Sequence, residues 1–132
     1  MTSKKLSILT LVSITQIYNT KKIGDAAMGS DYSIVLTAFP DKGSAKSAAK
    51  MLVERRLAAC VQIFPVDSVY LWENEICDNG EIVLLIKSKT ILFEKIAAAI
   101  REVHAYELPE IVQMPVTVGL SEYLQWIGAI CE

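Results

Sequence analysis

The 132-residue chain has one histidine, His104, and only three cysteines, Cys60, Cys77 and Cys131, all far apart. Odd, wide spacing excludes a disulfide framework and a Cys-x-x-Cys metal clip, and fits reduced thiols in a reducing compartment. A nucleophilic site needs a Cys or Ser with a base in reach, and His104 is the only imidazole available. Cys60 sits in an apolar strand-like run, where a thiol is usually an inert small hydrophobe. No glycine-rich phosphate loop and no dinucleotide fingerprint is present. Glu107 and Glu110 flank Pro109, and their spacing does not fix them on one face for acid–base work. The chain therefore reads as a binding protein and not an enzyme. It has no run of about 18 apolar residues, which excludes a spanning helix. The net charge is -2 and the basic pairs Lys4-Lys5, Lys21-Lys22 and Arg55-Arg56 are short, so no phosphate-tracking stripe marks a nucleic-acid partner.

What is abundant is apolar surface. Hydrophobic residues make up 52% of the chain and mean hydropathy is +0.36. One small domain has too little interior for that content, which points to burial against copies of itself. Residues 1–30 differ from the rest. Lys4-Lys5 followed by the run from Leu6 to Ile14 resembles a secretory leader, but Ser and Thr interrupt it and no clean cleavage site follows. The expectation is a poorly ordered extension in a cytoplasmic protein. The alternative is a targeting segment, which would make the protein secreted or organellar.

From Asp31 the pattern sharpens into one domain, 31–132. Ser33 to Phe39 reads as a buried strand, and Pro40 to Ser44 as a turn with N-capping oxygens. Ala45, Ala48, Ala49, Leu52 and Val53 then form an apolar helical stripe. Ala58 to Phe64 is a second strand closed by Pro65, and Ser68 to Glu73 continues in extended form. Asp78-Asn79-Gly80 is the expected hairpin turn, because Asn-Gly tolerates positive φ. Glu81 to Lys89 returns as a strand, with Val83, Leu85 and Lys87 on one face. Thr90 caps a helix striped by Phe93, Ile96, Ala97, Ile100 and His104. Ile111 to Val118 is the last strand, and Ser121 caps a short amphipathic helix. This order predicts an α+β, ferredoxin-like βαβ-βαβ sandwich with a long central hairpin and a short C-terminal helix. The two main helices cover one face, and the other needs a neighbouring subunit.

The candidate chemistry lies where the second helix pattern stops, at His104-Ala105-Tyr106-Glu107-Leu108-Pro109-Glu110. His104 with Glu107 or Glu110 offers part of a metal site, to be completed by water or a neighbour. A lone histidine at a helix end also serves simply as a cap. Tyr70, Trp72, Tyr106, Tyr123 and Trp126 can line a small-ligand pocket or pack at core and interface. Lys87 and Glu73 form a candidate polar pair in that pocket, or a surface salt bridge.

Several motifs agree in order and spacing: Leu57-Ala58-Ala59-Cys60-Val61, Tyr70-x-Trp72-Glu73, Glu81-x-Val83-Leu84-Leu85-Ile86-Lys87, His104-x-Tyr106-Glu107-x-Pro109-Glu110 and Tyr123-Leu124-x-Trp126. Together they resemble the CutA family of divalent-cation tolerance proteins, from about Tyr32 to the C-terminus. The resemblance implies a tight homotrimer similar to PII signalling proteins, association with tolerance to copper and other divalent cations, and no accepted catalytic activity. It implies Cu(II) or another divalent cation as a loosely held ligand. Its cleft between subunits would match Cys60, Tyr70, Trp72, Glu73, Lys87, His104, Tyr106, Glu107, Glu110 and Trp126. The alternative is a PII-like signalling or scaffold trimer that binds a small anion or a partner protein in that cleft. Where some bacterial members carry a cysteine in the first strand and a histidine doublet, this chain has Leu36 and Val103-His104.

Overall fold

In the computed structural model, which describes residues 31–131, alternate residues Ser33, Val35, Thr37 and Phe39 of strand β1 (Tyr32–Phe39) are fully buried. Side chains alternate across a strand, so this face meets the core and Ile34, Leu36 and Ala38 lie on the other. The expected extension at residues 1–30 lies outside the described residues.

Helix α1 (Lys42–Glu54) starts where the Asp41 Oδ1 accepts the Ser44 N–H at 2.8 Å, while the Ser44 hydroxyl donates to Oδ2 at 3.0 Å. This is an N-cap. The backbone bond from Ser44, then its hydroxyl, hold the Asp41 carboxyl below the usual carboxylate range. A depressed folded-state pKa stabilises the protein above the unfolded value of about 3.9, and the gain disappears as pH falls through the folded value. Asp41→Ala is thus expected to lower the melting temperature at neutral pH, with the gap to wild type closing in acid. A gap independent of pH would show that the charge has no part in the cap.

Strands β2 (Cys60–Trp72) and β3 (Glu75–Lys89) form a long antiparallel hairpin running from the Cys60–Lys87 pair to the Trp72–Glu75 pair. Its turn is Glu73-Asn74, with φ of 50° and 64°, the two positive angles of a tight hairpin turn. This corrects the expectation placed on Asp78-Asn79-Gly80, which lies inside β3 opposite Val69, Ser68 and Asp67. A turn at Asn79-Gly80 would slide residues 60–69 opposite residues 90–99, and that segment is committed to a helix by its apolar period. Pro65 does not end the strand either. It pairs with Ile82 on β2, an edge strand, where a missing N–H is tolerated.

After a 3-10 turn (Thr90–Leu92), helix α2 (Phe93–Val103) buries Ile96, Ala99 and Ile100. Thr90 does not cap α2. It begins the 3-10 turn, and its hydroxyl lies 2.6 Å from that of Ser33. Strand β4 (Ile111–Pro115) stops short of Val118, and helix α3 (Ser121–Ile130) begins at Ser121 with Leu120 at its N-cap position and no side-chain cap bond. The sheet order is β2-β3-β1-β4, with every neighbouring pair antiparallel. That is the expected ferredoxin-like arrangement. Phe39, Leu84 and Ile86 on the sheet pack with Ala45, Leu52, Ile96 and Ile100 of the helices in one core. The far end of the hairpin projects past this core, leaving Val69, Leu71 and Ile76 at 68%, 68% and 79% exposure.

Candidate functional site

Helix α2 ends at Val103, and His104 takes extended backbone angles, φ -85° and ψ 136°, that turn the chain back along the sheet. His104 is therefore a junction residue and not the last member of the helical stripe. Its Nε2 lies 2.6 Å from the Ala38 carbonyl, and its Nδ1 accepts the Tyr106 N–H at 3.1 Å. Because Nδ1 is the acceptor, Nε2 carries the proton and donates to Ala38. The ring also stacks on Phe39, with centroids 4.3 Å apart and planes 22° apart. One imidazole thus ties the end of β1 to the loop that follows α2.

That tie places Tyr106 against the hairpin. Its hydroxyl donates to Glu81 Oε2 at 2.8 Å, and its ring lies 4.8 Å from that of His104. Burial first, then the bond to Glu81 and the negative charge of Glu81, push the Tyr106 hydroxyl up to about 12. The phenol therefore remains a proton donor throughout the physiological range. Across the hairpin, Asn79 Nδ2 donates to the Tyr70 hydroxyl at 2.7 Å. The loop and the hairpin enclose an open cleft of about 700 Å³. Its aromatic walls are Tyr70, Trp72 and Tyr106, its carboxylates are Glu81, Glu107 and Glu110, and Ala38 and Ser68 belong to its lining.

Of the residues singled out from the sequence, Tyr70, Trp72, Tyr106, Glu107 and Glu110 meet in this cleft. His104 stands behind it, with both ring nitrogens already hydrogen-bonded. Cys60, Lys87 and Trp126 are elsewhere within the chain. Lys87 pairs with Cys60 at the opposite end of the hairpin, and its Nζ sits 5.6 Å from the centre of the Tyr123 ring. The Tyr123 and Trp126 rings are 5.5 Å apart and pack on the core. Glu73 is at the hairpin turn, so the Glu73–Lys87 pair does not form within one chain: twelve strand positions at about 3.4 Å each hold them roughly 40 Å apart. Glu81 was missed as a site residue. The available signal was strand parity, since Glu81 shares the Val83-Leu85-Lys87 face. Among the described residues, no group of three or more His, Cys, Asp or Glu side chains converges on a point that could hold a metal ion.

Residues 33–129 match the family model for the CutA1 divalent ion tolerance protein. Over 95 residues the chain is 42% identical to the divalent-cation tolerance protein CutA of Thermus thermophilus, covering 71% of this chain and 92% of that one. It is 33% identical over 129 residues to the human protein CutA, covering 95% of this chain and 72% of the human one. The solved structure of the periplasmic divalent cation tolerance protein CutA from Archaeoglobus fulgidus superposes with a TM-score of 0.75 at 33% identity, over 76% of this chain and 99% of that one. A relative in Arabidopsis thaliana, 35% identical, is named as chloroplastic. Among the described residues no helix is long and apolar enough to cross a membrane.

Proposed function

The chain belongs to the CutA1 divalent ion tolerance family, and from that premise we propose that it is a cytoplasmic homotrimer that binds Cu(II) or a similar divalent cation in metal tolerance, without catalysis. The observation that carries this reading is the charge of the cleft. Three carboxylates line it, and no Lys, Arg or His is among its lining residues. An unneutralised acidic concavity attracts cations and repels anions. Lys87, the cation of the small-anion alternative, lies at the other end of the hairpin within one chain, so that alternative needs it from a neighbouring subunit.

Glu107 and Glu110 are the proposed ligands. Neither His104 nitrogen is open to a metal unless it gives up its bond to Ala38 or Tyr106, so His104 positions the loop that carries them. The incomplete ligand set of one chain supports completion by water or by a neighbouring subunit. The exposed apolar arm at Val69, Leu71 and Ile76 supports self-association. Among first-row divalent cations such a site follows the Irving–Williams order, which puts Cu(II) first.

Native mass spectrometry with added Cu(II) tests the proposal. The expected result is a trimer that takes up Cu(II) saturably, and a trimer of the Glu107→Gln/Glu110→Gln double variant that does not. A wild-type trimer indifferent to Cu(II) would overturn the cation assignment, and a monomer would overturn the assembly.

A further inference from the structure

His104 holds the loop that follows α2 against the end of β1 through two bonds to backbone atoms, and backbone atoms cannot exchange roles. The Ala38 carbonyl only accepts, so Nε2 carries a proton; the Tyr106 N–H only donates, so Nδ1 is bare. The closed loop therefore requires the neutral ring in a single tautomer. A proton added to Nδ1 puts two hydrogens between that nitrogen and the Tyr106 amide, and the bond at 3.1 Å is lost. Both bonds are made within one chain, so they do not depend on the neighbour that completes the cleft.

The chain has no other imidazole. Around this one, β3 carries Glu81, bonded to the Tyr106 hydroxyl, and the turn after β1 carries Asp41, whose charge also acts on Tyr106. The loop itself adds Glu107, the hairpin adds Tyr70, and the last turn of α2 adds Arg101, while Glu102 is paired with Arg55. Carboxylates ordinarily titrate near pH 4, phenols near pH 10 and arginine above about 12. Between pH 5.5 and pH 7.5 the imidazole is thus the side chain that changes charge. We infer that His104 is a pH-sensitive latch, and that its protonation in mild acid breaks the bond to Tyr106 and frees the loop carrying Glu107 and Glu110. The latch is set with the neutral ring and released as pH falls through the imidazole range. Release of a bound cation would follow, a consequence that rests on Glu107 and Glu110 being ligands; the latch itself does not.

Amide hydrogen exchange of the full-length protein at pH 7.5 and pH 5.5, corrected for the intrinsic rate at each, tests the latch. One unit below the ordinary imidazole pKa of about 6.5 the charged ring outnumbers the neutral one about tenfold, so protection of the Tyr106 amide should fall about tenfold between these values. His104→Asn keeps an acceptor oxygen in the place of Nδ1 and does not titrate, so its protection should stay constant. The wild-type ring nitrogens, followed by NMR, should titrate with the same midpoint as the protection. Cu(II) uptake should weaken over this range more in wild type than in His104→Asn. A wild type that takes up no Cu(II) yet loses protection in acid would sink the metal reading and leave the latch standing. Equal protection of Tyr106 at both pH values would overturn the inference, as would an equal fall in folded His104→Asn, since another group would then be responsible. Should the asparagine variant not fold, ring and protection midpoints that differ would overturn it.

Discussion

Phe39→Ala is expected to cost about 3–5 kcal/mol of folding stability, the range for deleting a fully buried aromatic side chain. Phe39 ends β1 with no exposed surface and packs in the core with Leu84, Ile96 and Ile100. Its removal has two consequences. The first is a cavity in close-packed surroundings that relax only in part. The second is loss of the platform on which the His104 ring lies at 4.3 Å. Phe39→Leu separates them, because it keeps much of the volume and loses the ring contact, at a cost of about 1–1.5 kcal/mol. Denaturant midpoints at fixed protein concentration and unchanged slope provide the measurement. A loss below about 1 kcal/mol for the alanine variant would mean that the core does not depend on Phe39 in the way its burial indicates.

His104→Ala is expected to destabilise by about 2–3 kcal/mol, from two lost hydrogen bonds and one ring stack. The Ala38 carbonyl loses its imidazole partner and the Tyr106 N–H loses its acceptor. His104→Phe keeps an aromatic ring beside Phe39 but supplies neither bond, so it should recover only the stacking share. Copper uptake adds a second readout. If Glu107 and Glu110 are the ligands, a folded His104→Ala trimer still takes up Cu(II), more weakly as its loop loosens. An alanine variant as stable as wild type that no longer binds copper would return the metal to the imidazole.

Which parts of the fold were legible follows from how far each signal reaches along the chain. The stripes of α1 and α2 and the alternation of β3 are local periodicities, and they predicted most of the buried faces, although Val53 of α1 is exposed and Ala99 of α2 is buried outside the expected stripe. The hairpin turn is not local. Asn79-Gly80 carries the stronger turn chemistry, but Glu73-Asn74 turns, because only that register pairs all of β2 with β3 and leaves the following helix free. The candidate site was legible to the same extent. Tyr106, Glu107 and Glu110 lie in one short stretch, whereas Glu81 joins them only because the Tyr106 hydroxyl reaches it across 25 residues of sequence.

By itself the sequence determined the element order, the ferredoxin-like class and the family, since period, composition and motif spacing are properties of neighbours along the chain. The tertiary structure supplied the hydrogen-bond partners of His104. A histidine at a helix end is equally a cap or a ligand until the partners of its two nitrogens are known, and one of those partners, Ala38, is 66 residues away. The register likewise decided that Lys87 and Glu73 stand at opposite ends of the hairpin and that the cleft is acidic. Charge along the chain is nearly balanced, and only folding separates its signs in space.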